Sequence, residues 1–149
     1  MSRWGIVSSA AMLLLIGVAT VVSATPGIGV SNTILAKGTS PKVIVVGGGG
    51  ATEVTVGEIT IAPGGSTGWH YHDGELIAIV KFGTLTRQLH DCSTVVTGGG
   101  GSFVEPAGRH RSHVGRNLGI EPVVLLVTYL LPAGKPLSQD VPEPQHCPE

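Results

Sequence analysis

A period of two runs through most of this chain, and it constrains the fold more than any other feature. "EVTVGEITIA" alternates from Glu53, "ELIAIVKFG" runs to Gly83, and "TLTRQL" alternates again before "HDC". After "STVV" and a glycine run come "SFVEP" and the long "EPVVLLVTYLLP". Successive side chains of a strand point to opposite faces, so alternation of this kind marks strands half-buried against a core. The breaks fall at glycine and proline, of which the chain has 23 and 10, at intervals typical of a sandwich or barrel. The expected fold is all-β, a single barrel spanning residues 42–132.

One stretch invites a different reading. "VIVVGGGGATE" could be a strand followed by a dinucleotide-binding loop. Thr52 stands where that loop needs glycine or alanine, and a strand pattern follows where it needs a helix. This run and Gly98 to Gly101 are therefore read as turns or linkers between strands.

The N-terminus carries Arg3, an uncharged apolar run from Ile6 to Val22, and the small residues Val22-Ser-Ala24. These are the three parts of a secretory signal, with cleavage expected after Ala24. An uncleaved anchor is the competing reading, because the apolar run approaches spanning length. With residues 1–24 as a signal, residues 25–41 form a flexible lead-in and residues 133–149 a proline-rich tail. The remaining chain is long enough for one domain with a real core. The expected location is extracellular or in the cell envelope, with no stable membrane partner after cleavage.

Removal of Arg3 leaves eight basic against ten acidic residues, a net charge of -2. That balance gives no reason to expect a nucleic-acid partner. Cys92 and Cys147 are the two cysteines, and in an oxidising compartment an even pair without a third competitor reads as one disulfide. It would fasten the tail to the barrel.

The chemistry-bearing stretch is "GWHYHDGE", Gly68 to Glu75. On a strand His70 and His72 share one face while Trp69 and Tyr71 take the other. Two imidazoles at this spacing can converge on one metal ion, or they can line a polar strand edge. A second cluster follows in "GGSFVEPAGRHRSHVGRN", with Pro106-Ala-Gly108 suited to a type I turn and His110, His113 and Asn117 beyond it.

Together these stretches resemble the two motifs of the cupin superfamily. Gly64, five residues, His70-Tyr-His72 fits the first. Gly100, five residues, Pro106-Ala-Gly108, then His113 and Asn117 fits the second. The likeness extends over residues 41–132 and is nearest to the small secreted single-domain cupins of actinobacteria. It implies a jelly-roll barrel with His70, His72 and His113 as metal ligands. Glu75 lies closer to His72 than the family spacing asks, and two extra residues precede His113. Glu75 and His110 are therefore the less certain ligands, and a Glu75 that does not ligate is expected at the pocket rim.

Imidazole donors suit zinc, copper, iron or nickel, and an added carboxylate favours manganese or iron. One divalent ion is thus the expected cofactor and a small molecule in the barrel the expected partner, with a homodimer compatible with the family. The resemblance implies an oxygenase, isomerase or decarboxylase, or, without metal, a small-ligand-binding or envelope structural protein. Arg87 and Glu105 read as solvated charges or a surface pair, and His90 and His146 as polar residues beside the disulfide.

Overall fold

The computed structural model describes residues 24–40 and 50–147. The expected signal segment, apart from Ala24, lies outside the described residues, as does most of "VIVVGGGG". Among the described residues ten strands follow in order: β1 (Ile28–Ser40), β2 (Thr52–Ser66), β3 (His70–Tyr71), β4 (Glu75–Phe82), β5 (Thr84–Leu89), β6 (Thr94–Gly98), β7 (Ser102–Glu105), β8 (His113–Arg116), β9 (Val123–Pro132) and β10 (Gln139–Asp140). Among the described residues no helix is long and apolar enough to cross a membrane.

Among the described residues all pairings are antiparallel. One wall runs β1-β2-β9-β4-β7 and the other β6-β5-β8-β3-β10, joined where Ser66 of β2 meets Arg116 of β8. The result is a nearly closed barrel of the jelly-roll kind. Alternation in the sequence becomes alternation of burial. On β9, Val123, Leu125, Val127, Tyr129 and Leu131 turn inward, and on β4 Leu76, Ala78 and Val80 meet them. With Ile61 and Leu85 they form the main core. Burying each large aliphatic side chain contributes about 1.5–3 kcal/mol.

Two segments differ from expectation. The lead-in is not loose, because Ile28–Ser40 forms a 13-residue strand paired along β2. Its side chains are exposed over nearly the whole length, so backbone hydrogen bonds rather than burial hold it. That is why no strong hydrophobic signal marks it. The tail is likewise more than an extended strap. Its β10 pairs with β3, matching Gln139 to Tyr71 and Asp140 to His70.

Beneath the tail lies a second, smaller core of Trp69, Val114, Val141 and Cys147, with Tyr71 and Cys92 against it. Cys92 and Cys147 are joined as a disulfide, with their Cα atoms 5.2 Å apart and a sequence separation of 55. On the chain-entropy model closing such a loop contributes about 4 kcal/mol. His90 and His146 sit beside it as expected, His146 Nε2 donating to the carbonyl of His90.

Candidate metal centre

The outward position of Trp69 sets the inward position of its neighbours. Trp69 is buried under the tail, so His70 and His72 turn to the barrel interior, where both are buried. Gly68 makes the approach possible. Its φ is +71°, and a Cβ there would stand 2.0 Å from the Thr25 carbonyl oxygen, so only glycine fits.

The third imidazole arrives by strand pairing. His113 opens β8 and is the cross-strand partner of His70, which puts the two rings on one face with centroids 4.5 Å apart. The two extra residues before it are absorbed by a short 3-10 turn, Arg109–Arg111. His110 lies on that turn, exposed, and is not part of the inner group. Asn117 closes the far end of β8. Its buried amide donates to the carbonyls of Ile61 and Glu121 and accepts from the Gly119 N–H.

The fourth member is Glu105, not Glu75. His70, His72, Glu105 and His113 are all buried, and one donor atom from each lies within 4.8 Å of the others. Glu75 begins β4 on the face it shares with the exposed Ile77 and Ile79, opposite Leu76. It lines no part of the inner cavity, which corrects the expected rim position. The reading of Glu105 and Arg87 as solvated charges is also corrected. Glu105 ends β7 and Arg87 sits on β5, both turned into the barrel. A signal for Glu105 was available, since Phe103 stands two residues earlier on the same strand and marks the inward face.

The hydrogen bonds decide the tautomers. His70 Nδ1 lies 2.9 Å from the Gly68 carbonyl, His72 Nδ1 2.6 Å from that of Leu137, and His113 Nδ1 2.9 Å from that of Arg111. A carbonyl only accepts, so each Nδ1 carries the proton and each neutral ring presents a bare Nε2 to the interior. His113 Nε2 is 2.9 Å and His72 Nε2 3.2 Å from Glu105 Oε2. Neutral imidazole nitrogen facing carboxylate oxygen makes no hydrogen bond, and both Nε2 atoms are buried without a partner. Lone pairs and a negative charge thus converge with nothing positive between them.

A proton or a metal ion resolves this arrangement. Burial pushes His113 toward neutrality, but the Glu105 carboxylate outweighs it and raises its pKa above the ordinary value. Burial likewise disfavours ionised Glu105, yet His113 and then His72 hold its carboxyl well below the usual range. His70 goes the other way, lowered to about 4 by burial and by the charges of His113 and His72. The donor set fits a divalent transition metal, with three neutral imidazoles fixed by carbonyls on their far nitrogens and one ionised carboxylate.

The group lines a cavity of about 40 Å³, whose other walls include Leu76, Ala78, Leu125 and Val127. Tyr129 borders it with its hydroxyl raised to about 12, chiefly by burial. Residues 57–129 match the model of a family described as the cupin domain. This part of the barrel, from within β2 to within β9, is thus similar to the cupin domain.

The fold is shared with solved structures, of which two are given. The polyketide cyclase RemF of Streptomyces resistomycificus is 19% identical with a TM-score of 0.58, over 89% of this chain and 86% of that one. A cupin superfamily protein of Desulfitobacterium hafniense DCB-2 is 17% identical with a TM-score of 0.51, over 68% and 77%. At these identities the likeness is one of fold. No curated protein matches this sequence significantly.

Proposed function

We propose that the protein is a secreted, metal-dependent cupin that acts on a small molecule inside its barrel. His70, His72, His113 and Glu105 would hold one divalent transition ion. The observation that carries this reading is the commitment of all three Nδ1–H groups to backbone carbonyls, which leaves bare Nε2 atoms facing a carboxylate. When bound, the ion supplies Lewis acidity, and redox chemistry as well if it is iron, manganese or copper.

The chain's own residues do the rest. The Gly68, Leu137 and Arg111 carbonyls hold the rings in one tautomer and orientation. Leu76, Ala78, Val127 and the aliphatic residues around them give the interior largely apolar walls, which strengthens the charge interactions inside it. The Leu137 carbonyl belongs to the tail, so the disulfide that ties down the tail also supports His72. An oxidising compartment, which the disulfide requires, agrees with the expected signal segment.

Elemental analysis of protein purified without a histidine tag tests the reading. One equivalent of transition metal is expected, lost in the double variant His70→Ala/His113→Ala. Folded protein that stays metal-free after incubation with zinc, manganese and iron(II) would sink it in favour of a metal-free ligand-binding barrel.

A further inference from the structure

Arg87 is the charged group that the metal reading leaves without a task. Its side chain is buried, with the residue only 6% exposed, yet its hydrogen bonding is poor. Nε is buried with no partner, and Nη1 reaches Glu105 Oε1 only at 3.5 Å. Its guanidinium carbon lies 3.5 Å from the centroid of the Phe103 ring, so stacking fixes the plane of the fork. A rigid cation with an unused donor has been placed in the interior.

Its position is that of a gate. Arg87, Glu105 and His113 line the inner cavity and also a wider outer cleft of about 460 Å³. The cleft brings His90, His110 and Arg111 to the approach, against the single further carboxylate of Asp91. An anion moving inward therefore passes cationic and imidazole groups before it meets Arg87.

We infer that the site takes a small carboxylate, held by the Arg87 fork beside the metal. The inference rests on the metal reading above and names its substrate class. A divalent ion and Arg87 bring three positive charges to the interior and Glu105 returns one, so a buried excess of two remains to be balanced. A carboxylate matches the planar fork in shape and charge. The inner cavity of about 40 Å³ limits its size. That space holds on the order of three waters, so the ligand has a few heavy atoms and no ring.

The test is calorimetric titration of the zinc-loaded protein with acetate, acetamide, benzoate and inorganic phosphate, with metal content measured first. Acetate should bind, and acetamide and benzoate should be weaker by at least about tenfold, the scale of one charge-assisted hydrogen bond. Arg87→Gln should keep one zinc per chain and lose acetate affinity by at least about tenfold. Arg87→Lys keeps the charge without the fork and should fall between, and it serves if the glutamine variant does not fold.

Acetate affinity in Arg87→Gln, or in Arg87→Lys if that is the folded variant, equal to the parent overturns the inference. So does equal binding of acetate and acetamide, and tighter binding of phosphate overturns the carboxylate class. If the parent holds no metal, the metal reading fails separately. The same acetate comparison on metal-free parent and Arg87→Gln then still reads the fork, and no difference between them overturns it.

Discussion

Replacing Glu105 by Gln keeps the shape of the side chain and removes its charge, which makes it the sharpest probe of the centre. In the parent, Glu105 Oε2 faces His113 Nε2 at 2.9 Å and His72 Nε2 at 3.2 Å, while Oε1 faces Arg87 Nη1 at 3.5 Å. Loss of a group that merely orients a ligand weakens metal binding about 10- to 100-fold, and a donor pointed at the ion should cost at least the upper figure. A loss of about 100-fold corresponds to about 2.7 kcal/mol. The metal-free fold responds differently. Above the raised pKa of His113, where its Nε2 is bare, the new amide donates to that nitrogen and gains about 1 kcal/mol. Arg87 loses its ionic partner, and breaking a buried pair costs about 3–5 kcal/mol, here near the low end because the pair is long and Phe103 still covers the guanidinium. The metal-free variant should therefore be less stable by about 2 kcal/mol and remain folded. Competition against a chromophoric chelator at fixed pH measures the affinity, and urea unfolding of metal-free protein measures the stability. A Glu105→Gln affinity within about threefold of the parent would show that the three imidazoles hold the ion without the carboxylate.

The remaining predictions concern the neighbours of this group. Glu75→Gln and His110→Ala should leave metal affinity unchanged, whereas His70→Ala, His72→Ala and His113→Ala should each abolish stoichiometric binding, as elemental analysis will show. The pH dependence has a definite sign. Metal must displace the proton that Glu105 retains on His113, whose pKa is raised, so the apparent Kd should rise about tenfold per unit as pH falls below that pKa, with about one proton released per ion. Chelator competition at several pH values that gives a flat Kd would contradict this. Cys147→Ser should lower stability by about 4 kcal/mol, read by urea unfolding, and also weaken metal binding, because the freed tail carries the Leu137 carbonyl that orients His72. Trp69→Ala should cost about 3–5 kcal/mol, seen as a lower urea midpoint.

Much of the fold and half of the centre are legible in the residues themselves. Period-two alternation determines the strands, and it determines which side chains of "EVTVGEITIA" and "EPVVLLVTYLLP" turn inward, because the strand repeat is a local property of the backbone. By the same rule His70 and His72 share a face wherever that strand lies. Local rules stop at the question of which strands meet. Ile28–Ser40 has no buried face to announce it, so only its long-range hydrogen bonds with β2 reveal a strand. The family spacing favours His113 over His110, and the physical reason lies in the fold, where the turn at Arg109–Arg111 absorbs the insertion and β8 pairs His113 with His70. Glu105 could be placed inward from Phe103, but its role depends on β7 lying across the barrel from His72 and His113, which no stretch of sequence states. A carboxylate on a strand is a solvated charge until tertiary packing decides that its face is the inside of a barrel, because burial and the distances between donors arise only when distant strands close on one another.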